Sequence, residues 1–324
     1  MELKEIDTKI LRELLINGRI KFTTLANNLN VTTKNVWNRY KIMKKAGVIV
    51  GATTHINYNK CYGIYTVFTI KMSSNQKDNL IENIRKMPSV YIITKGLKKD
   101  TLIVGITVKN LGEMDTVKNK LSLISLSDEI TSEIWLDIIN IPENLQALTI
   151  KKQKNPIAEE SIDKKQIVKS KKIKLDKIDF KIIDLLSING RMTFSKISRK
   201  IGKSVDTIAK RYKNLIKSNT LKVVIQINPT KIGYKGWMIF NLSFSAKSLL
   251  HEKIKEIIEI PDIIHLVKTK GLFDFAVYAF VKDIDQLFEM QKRILDINGL
   301  KNIEIINNEI MDIWPTPKQC KSTF

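Results

Sequence analysis

The sequence is poor in the residues that cross-link small folds or bind metal ions. It contains only two cysteines, Cys61 and Cys320, and three histidines in 324 residues. The cysteines have no CxxC spacing, so we expect neither a disulfide framework nor a zinc site, and no metal or cofactor is predicted. Neither a secretory leader nor a run of about 18 apolar residues is present, which favours a cytosolic protein without a membrane span.

Acidic residues are scarce relative to basic ones. The chain has 55 Lys and Arg against 33 Asp and Glu, a formal net charge of +22 at pH 7. Such a charge attracts polyanions, above all nucleic acid, and is unusual for an enzyme of small neutral substrates. The alternative is a lysine-rich composition that is unrelated to binding.

The chain contains nearly the same sequence twice. Residues 4–19 return as residues 176–191, a constant offset of 172, and identical residues recur at that offset as far as Lys45 and Lys217. The offset is far too long for a solenoid repeat of about 20 to 50 residues. Each copy must therefore be at least one folded unit with its own core, and whatever one copy binds, the chain can bind twice.

Arginine is rare and is placed at matched positions. Only eight of the cations are Arg, and Arg19 matches Arg191 as Arg39 matches Arg211. Arginine differs from lysine in its planar, bidentate group, so a specific contact is indicated. For Arg39 and Arg211, phosphate contact and an internal ion pair remain alternatives. Arg19 and Arg191 recur together with Asp7 and Asp179, which favours a structural ion pair or a helix cap.

The first 50 residues of each copy have the pattern of a helix-turn-helix unit. Apolar residues recur at helical spacing from Ile6 to Leu15, and Gly18 and Gly190 are expected to end the first helices. A short second helix is predicted over about 22–29 and 194–201. Thr32 and Ser204 then cap a longer cationic helix. An apolar segment follows it in each copy and predicts a strand that closes the unit as a short wing.

The rest of each copy alternates strand and helix in the order βαββαβ. In copy one this pattern extends from Ile64 to Ile138, and in copy two from Gly236 to Ile313. It predicts a ferredoxin-like sandwich with two helices on one face of an antiparallel sheet. The other face is left uncovered, which predicts pairing with a second such domain. A dimer of chains is favoured over closure within one chain.

The predicted fold class is α+β, with two tandem copies of a winged helix-turn-helix domain followed by a ferredoxin-like domain. Residues 151–174 contain nine Lys and no aromatic residue, as expected of a flexible linker. The predicted domains are 1–54 and 55–150 in copy one, the linker 151–174, and 175–226 and 227–324 in copy two.

These features resemble the leucine-responsive and asparagine-C (Lrp/AsnC) family of transcription regulators. The resemblance covers almost the whole chain, twice over. Its motifs in copy one are Ile6-Asp7, Ile10-Leu11, Asn17-Gly18-Arg19, Thr32, Arg39 and Gly47-Val48-Ile49. It implies a sequence-specific regulator that binds double-stranded DNA and self-associates through its ferredoxin-like (RAM-type) domains. Copy two departs from the motif at Asn219, which replaces the glycine and is expected to weaken the end of the third helix.

The third helix of each copy is predicted to enter the major groove. Polar and cationic side chains near a helix N-terminus can pair with base edges and phosphates, and an ordinary solvated helix face is the alternative. Asp206 repels phosphate, so the two helices are expected to recognise different sequences. The predicted DNA-binding residues are Thr32, Thr33, Lys34, Asn35, Asn38, Arg39 and Lys41 in copy one, and Ser204, Thr207, Lys210, Arg211 and Lys213 in copy two.

The family binds amino-acid effectors at a loop that matches Thr269, Gly271 and Asp274 here. A glycine admits close backbone approach, a hydroxyl can hold a carboxylate, and an acid can hold an ammonium group. The alternative is a β-hairpin turn in which these residues serve only geometry. The matched positions in copy one are Gly96 and Asp100, where the loop is one residue longer.

Two other functions compete with site-specific regulation. The first is a basic architectural protein that binds DNA by charge alone. The second is a siroheme decarboxylase, because those enzymes use the same regulator-like scaffold on a tetrapyrrole. The sequence lacks an obvious cluster of histidine and aromatic residues for such a site, so we expect a chain that is not an enzyme.

Overall fold

The computed structural model describes most of the chain. The described residues are 2–57, 63–72, 77–87, 90–95, 100–127, 129–148, 175–245, 250–308 and 310–315. The predicted linker, residues 151–174, lies outside them. Within the described residues, no helix is both long enough and apolar enough to cross a lipid bilayer.

Copy one follows the predicted order of helices and strands. Its helix-turn-helix elements are α1 (Glu5–Ile16), α2 (Phe22–Asn28), α3 (Thr33–Lys45) and β1 (Ile49–Ile56). Its α/β elements are β2 (Ile64–Lys71), α4 (Lys77–Arg85), β3 (Val90–Lys95), β4 (Thr101–Val108), α5 (Leu111–Ser125) and β5 (Ile130–Asn140). Two short 3-10 turns, Pro142–Asn144 and Gln146–Leu148, follow β5.

Copy two repeats this order, as the offset of 172 predicts. Its helix-turn-helix elements are α6 (Lys177–Ile188), α7 (Phe194–Ile201), α8 (Val205–Lys217) and β6 (Leu221–Ile227). Its α/β elements are β7 (Gly236–Phe244), α9 (Leu250–Ile258), β8 (Ile263–Lys270), β9 (Phe275–Val281), α10 (Ile284–Leu295) and β10 (Leu300–Asn308). The α+β fold class with two tandem units is confirmed.

The predicted wings do not close their own units. Instead β1 pairs antiparallel with β6, so that Ala52 lies opposite Ile225 and Ile56 opposite Leu221. The prediction of a wing within each unit is wrong, because a single strand has no partner in its own unit and finds one in the other copy. The two helix-turn-helix units are thereby joined around an approximate twofold axis.

Gly18 and Gly190 serve this junction rather than the ends of the helices. Helices α1 and α6 already end at Asn17 and Asn189, both in extended conformation. The N–H of Gly18 donates to the carbonyl of Val223 at 2.8 Å, and that of Gly190 to the carbonyl of Ala52 at 2.7 Å. A Cβ on Gly18 would lie 2.6 Å from the backbone of Val224, so only glycine admits this approach.

The two α/β domains form one continuous sheet. Eight strands are hydrogen-bonded in the order β10-β7-β9-β8-β5-β2-β4-β3, and β5 of copy one pairs antiparallel with β8 of copy two. One edge strand of each domain is thus paired within the chain, while β3 and β10 lie at the two ends of the sheet. The two domains pair inside the chain, and through strand edges rather than through the helix-free face as expected. The expectation that a dimer of chains replaces closure within one chain is corrected accordingly, and association between chains stays a prediction.

Side chains of both copies meet on the helix-free face of this sheet. Trp135 in β5 and Tyr278 in β9 are two strand spacings apart, about 10 Å along the sheet, and their ring centroids lie 6.2 Å apart. Aromatic side chains of copy one therefore contact those of copy two on this face.

Candidate nucleic-acid interface

Helix α3 presents a largely polar face, because its apolar residues Val36 and Met43 point inward. Val36 and Met43 are fully buried, and the Thr32 hydroxyl accepts a hydrogen bond from the Asn35 N–H at 3.1 Å, which caps the helix start. The exposed polar side chains include those of Thr33, Lys34, Asn35, Asn38 and Lys41, beside which Trp37 and Ile42 are also exposed, at 44% and 45%. Donors and cations thus lie on one solvent face near the N-terminus, as recognition of the major groove requires.

Helix α8 is built in the same way with different exposed chemistry. Ile208 and Leu215 are buried, and the Ser204 hydroxyl accepts from the Thr207 N–H at 3.2 Å. The Thr207 hydroxyl is half-buried and lies 2.8 Å from that of Ser204. The exposed side chains on this helix include Val205, Asp206, Lys210 and Lys213, so an acid stands where α3 has a lysine.

Arg39 and Arg211 are engaged inside their own units. Arg39 Nε donates to Asp7 Oδ1 at 2.6 Å, and its Nη2 pairs with the other oxygen of the fully buried Asp7. That hydrogen bond raises the pKa of the Arg39 guanidinium. Arg211 Nη1 donates to Asp176 at 2.8 Å and to Asp179 at 2.9 Å. The internal ion pair is therefore the alternative that the geometry supports for both residues, and it fixes each recognition helix to the first helix of its unit.

Arg19 and Arg191 make reciprocal contacts between the two units. Arg19 Nη1 donates to the carbonyls of Gly190 and Met192 at 2.7 and 2.8 Å, while Arg191 donates to those of Gly18 and Ile20 at 2.8 and 3.3 Å. Burial lowers the pKa of both guanidinium groups, yet arginine remains charged in proteins. The predicted ion pair or cap with Asp7 and Asp179 is wrong, because Arg39 and Arg211 occupy those carboxylates.

Each of these arginines also lies over aromatic rings of the opposite unit. Arg19 lies 4.7 Å from the centroid of Phe194, and Arg191 lies 4.7 Å from that of Phe22. Cation–π contacts add to the hydrogen bonds where the cation is desolvated. The planar group that the sequence indicated is thus used to hold the two units together.

Trp37 packs within its own unit and remains partly exposed. Its ring lies 5.6 Å from that of Phe22 and stacks with that of Tyr40 at 6.2 Å. Lys41 Nζ lies 4.8 Å from the same ring, while 44% of the tryptophan is exposed. Trp37 therefore packs against neighbouring rings of its own unit, and Lys41 lies over its ring.

In the loop predicted to bind an effector, the polar side chains already form hydrogen bonds with the protein's own backbone. The Thr269 hydroxyl donates to the Phe273 carbonyl at 2.8 Å, and Asp274 Oδ2 accepts from the Phe244 N–H at 2.9 Å. A Cβ on Gly271 would lie 2.7 Å from Glu133 Cγ of copy one. The hairpin-turn alternative accounts for all three residues. In copy one Gly96 lies outside the described residues, and Asp100 adopts a left-handed conformation with φ 67°.

A cluster of aromatic and ionisable side chains lies on the helix-free face of the sheet where the copies meet. We name the cross-copy cluster by its residues, Tyr65, Glu133, Trp135, His265 and Tyr278. Trp135 lies 4.9 Å from Tyr65 and 6.4 Å from His265, measured between ring centroids. Burial raises the pKa of Glu133 to about 7, and the carboxylate of Glu304 adds to the rise. Burial also raises the pKa of Tyr278.

Sequence reasoning missed this cluster because none of its members recurs at the offset of 172. Tyr65 pairs with Trp135 as Trp237 pairs with Asn308, so the matching positions are Trp237 and Asn308. A pattern based on recurrence therefore leaves the cluster out, although its residues lie together once β5 pairs with β8. The sequence gives no sign of this aromatic cluster, which contains a single histidine, His265.

Comparisons with known proteins agree with the two helix-turn-helix units. The family model of the AsnC-type helix-turn-helix domain matches residues 3–44 and 175–216. The uncharacterized HTH-type transcriptional regulator PH0140 of Pyrococcus horikoshii is 33% identical over 142 residues, which are 42% of this chain and 86% of that protein. The HTH-type transcriptional regulator Ptr1 of Methanocaldococcus jannaschii is 32% identical over 132 residues, 39% of this chain and 88% of Ptr1.

The whole chain also resembles one tandem scaffold. The crystal structure of the siroheme decarboxylase NirDL covers 94% of this chain and 91% of its own, with a TM-score of 0.60 and 10% sequence identity. The TM-score is 0.61 for NirDL in complex with an iron-uroporphyrin III analogue. At this identity the likeness shows the fold alone. It corrects the prediction that the chain is not an enzyme, because the same tandem fold is also the fold of an enzyme.

Proposed function

This chain belongs to the Lrp/AsnC family of HTH-type transcriptional regulators, and from that premise we propose that it recognises an asymmetric DNA site with both recognition helices as one covalent pair. The observation that carries the proposal is the reciprocal junction of Arg19 and Arg191 together with the β1–β6 pairing. These contacts set the orientation of α3 relative to α8 before DNA is bound. A preorganised pair does not have to order itself on binding.

The base contacts follow from the exposed residues of each helix. In α3, Asn35 and Asn38 can each pair with adenine, and Lys34 can contact guanine or phosphate. In α8, Asp206 can accept from the amino group of cytosine, and Lys210 and Lys213 can contact phosphates. Because the two sets differ, the two half-sites differ as well, and the preferred site is not palindromic.

The excess of lysine contributes affinity for any DNA. Each phosphate that is neutralised adds roughly 0.9 to the slope of log affinity against log salt. Lys41 and the two lysines of α8 therefore increase binding to all sequences alike. Arg39 and Arg211 act indirectly in this proposal, since their guanidinium groups position the recognition helices through Asp7, Asp176 and Asp179.

Self-association and effector binding are finer parts of the proposal. Two chains bound together would present four recognition helices, and the α/β domains are the surface that we propose for it. A small effector such as an amino acid would have to replace the internal hydrogen bonds of Thr269 and Asp274. Thermal unfolding of the protein with each amino acid tests this, and no shift at millimolar ligand would contradict it.

The cross-copy cluster does not fit a tetrapyrrole substrate of the uroporphyrin type. Such a ring carries several carboxylates, which need cations or N–H donors around them. The charged member of the cross-copy cluster is Glu133, and Glu304 lies near it. We therefore derive no step through a tetrapyrrole. Absorbance spectra of the protein with iron-uroporphyrin test this, and a stoichiometric Soret shift would contradict it.

The test of DNA recognition is selection of the preferred site from random DNA, followed by equilibrium binding over a salt series. Asn38→Ala should lower the preference for that site over unrelated DNA by about 1 to 3 kcal/mol, because a base contact is lost. Asn119→Ala, on an exposed face of α5, is the matched control and should change nothing. Equal preference of wild-type protein and an Asn35→Ala/Asn38→Ala variant would favour an architectural protein that binds by charge alone.

A further inference from the structure

Helix α10 carries an unusually exposed apolar stripe on the outside of the second α/β domain. Ile284 is 57% exposed, Phe288 59% and Leu295 50%. They are spaced four and seven residues apart, which places them on one side of a helix with 3.6 residues per turn. Large apolar side chains that form a contiguous exposed patch mark interaction sites more often than scattered ones do.

The stripe is distinct from the face by which α10 joins its own domain. Met290 and Ile294 are buried in the core of the second α/β domain, and Leu287 packs against the same core. The helix therefore has two apolar faces. The face that carries Met290 and Ile294 is buried within the domain. The face that carries the stripe is exposed on its outside.

Charges along one edge of the stripe make it complementary to itself. Asp285 lies in the first turn of α10 and Lys292 in the last. They are seven residues apart, about two turns, so both lie on the same edge of the stripe. Neither has an ion pair among the described residues. In an antiparallel pair of two such helices, the acid of each would lie beside the lysine of the other.

The matched helix of copy one keeps only the first residue of the stripe. The N-caps Asn110 and Asp283 align α5 with α10 at an offset of 173. At that offset Leu111 matches Ile284, whereas Asp115 and Ser122 replace Phe288 and Leu295. Gly112 and Asn119 replace the charged pair Asp285 and Lys292. The complete stripe and its charged edge are thus a property of copy two.

We propose that α10 is the surface through which two copies of this chain associate. A twofold axis near Phe288 places Ile284 of one chain against Leu295 of the other and brings Asp285 beside Lys292 on both sides of that axis. The inference deepens the self-association suggested under the proposed function and names its surface. Burial of the three apolar side chains supplies the attraction, and the charges select the antiparallel direction.

The expected complex is a weak and concentration-dependent dimer. Two helices of three turns form a small interface, and small interfaces are typical of transient association. Both pairs of recognition helices remain outside it. Such a dimer would bind two DNA sites, or two parts of one long site, with higher avidity than a single chain.

The first test is sedimentation equilibrium of the full chain. Phe288→Glu should weaken the dimer by about tenfold or more, as loss of a central buried aromatic residue does. The control is Thr116→Glu at an exposed position of α5, which should leave the dimer unchanged. A wild-type chain that stays monomeric at hundreds of micromolar would overturn both this inference and the proposed self-association. A dimer that is insensitive to Phe288→Glu would overturn only the inference.

A second test exploits the charged edge and does not depend on a disruptive substitution. Asp285→Lys and Lys292→Asp should each weaken self-association, because like charges then face each other. An equimolar mixture of the two variants should recover the wild-type affinity as a heterodimer, since both lysines of one chain then lie beside the two acids of the other. Failure of the mixture to associate better than either variant alone would overturn the antiparallel arrangement.

Discussion

The two helix-turn-helix units have matching sequences, but they differ in what packs against them. The core of the first unit, around Ile10 and Leu14, is continuous with Tyr234 and Phe280 of the second α/β domain and with Trp314. The core of the second unit, as far as the structure describes it, takes only Ile56 from the other copy. The two units keep the same helices and strands. The apolar core of the first unit extends into the second α/β domain, whereas, among the described residues, that of the second unit does not.

The segment that follows β5, residues 141–148, makes this attachment. Leu145 and Leu148 are fully buried in the core of the first unit. Asn144 Nδ2 donates to the carbonyls of Ile260 and Ile263, each at 2.8 Å. Asp262, fully buried, accepts from the Gln146 N–H at 2.7 Å and pairs with the Tyr234 hydroxyl. Burial raises the pKa of Asp262 and that of Tyr234.

The largest difference between the units should follow from their arginine pairs. Asp7 is fully buried, whereas Asp176 and Asp179 are 52% and 13% exposed. Arg39→Ala should therefore cost about 3 to 5 kcal/mol, because a buried charge loses its partner. Arg211→Ala should cost about 1 kcal/mol or less, since water can solvate the acids it leaves. Chemical denaturation of the full chain measures both, and equal costs would contradict the comparison.

Truncation of a core side chain should destabilise neighbouring domains when it is made in the first unit, and only the unit itself when it is made in the second. Leu14 and Leu186 are matched and fully buried, so each change to Ala should cost about 2 to 5 kcal/mol. Leu14→Ala should also increase amide exchange in β9 and in residues 141–148, which share its core. Leu186→Ala should increase exchange in α6 to α8 only. Hydrogen exchange with mass spectrometry reads each segment, and the same pattern from both variants would refute the difference in packing.

The junction between the units should depend on guanidinium geometry rather than on charge. Arg19→Lys keeps the cation but loses the paired hydrogen bonds and the fit over Phe194, which should cost about 1 to 3 kcal/mol. Arg199→Lys, on an exposed face of α7, is the control and should be neutral. If Arg19→Lys unfolds at the same denaturant concentration as the control, the reciprocal contacts do not hold the units together.

The smallest expected difference is in pH dependence. Burial raises the pKa of Asp184 in α6 to about 6, while the matched residue of α1 is Arg12. A raised acid pKa contributes stability below its unfolded value, and that stability is lost as pH rises toward 6. Asp184→Asn should stabilise the second unit at pH 7 by about 1 kcal/mol, a figure reduced for solvent screening, and should have no effect near pH 3. A gain that is equal at both pH values would contradict this origin.

The elements within each copy could be predicted because their signals are local. Apolar periodicity located α1 and α6, and the hydroxyls of Thr32 and Ser204 cap α3 and α8 as expected. Asn219, which replaces the glycine found at Gly47 in copy one, still ends its helix in the same way. It adopts the left-handed conformation with φ 53°, and Gly47 adopts it with φ 73°. Such patterns depend on residues within a few positions of each other.

Contacts between the copies could not be predicted in the same way. Arg19 was assigned to Asp7 because both recur, yet its partners are backbone carbonyls about 170 residues away. Every residue has a backbone carbonyl, so the residue types in a sequence do not show which carbonyl accepts a hydrogen bond. The residues of the cross-copy cluster recur nowhere, so no periodicity or offset links Glu133 to Tyr278. How the copies join therefore had to be seen in the structure.

The junction also changes how the chain should be tested. Strand β6 of copy two contributes Ile225 and Ile227 to the core of the first unit. A chain divided at the linker would expose that core, so each half by itself is a poor model of its unit. The full chain with altered DNA is the better experiment.

The central claim is that the two recognition helices bind DNA as one rigid pair, and a spacing series tests it most directly. The selected site is lengthened or shortened between its half-sites by one base pair at a time, over one helical turn of about 10.5 base pairs, and binding of the full chain is measured. We predict a single optimal spacing, with affinity at least about tenfold lower at half a turn away, because the junction cannot follow the rotation. Equal affinity at all spacings would contradict the claim and show that the units bind independently or that only one of them contacts DNA.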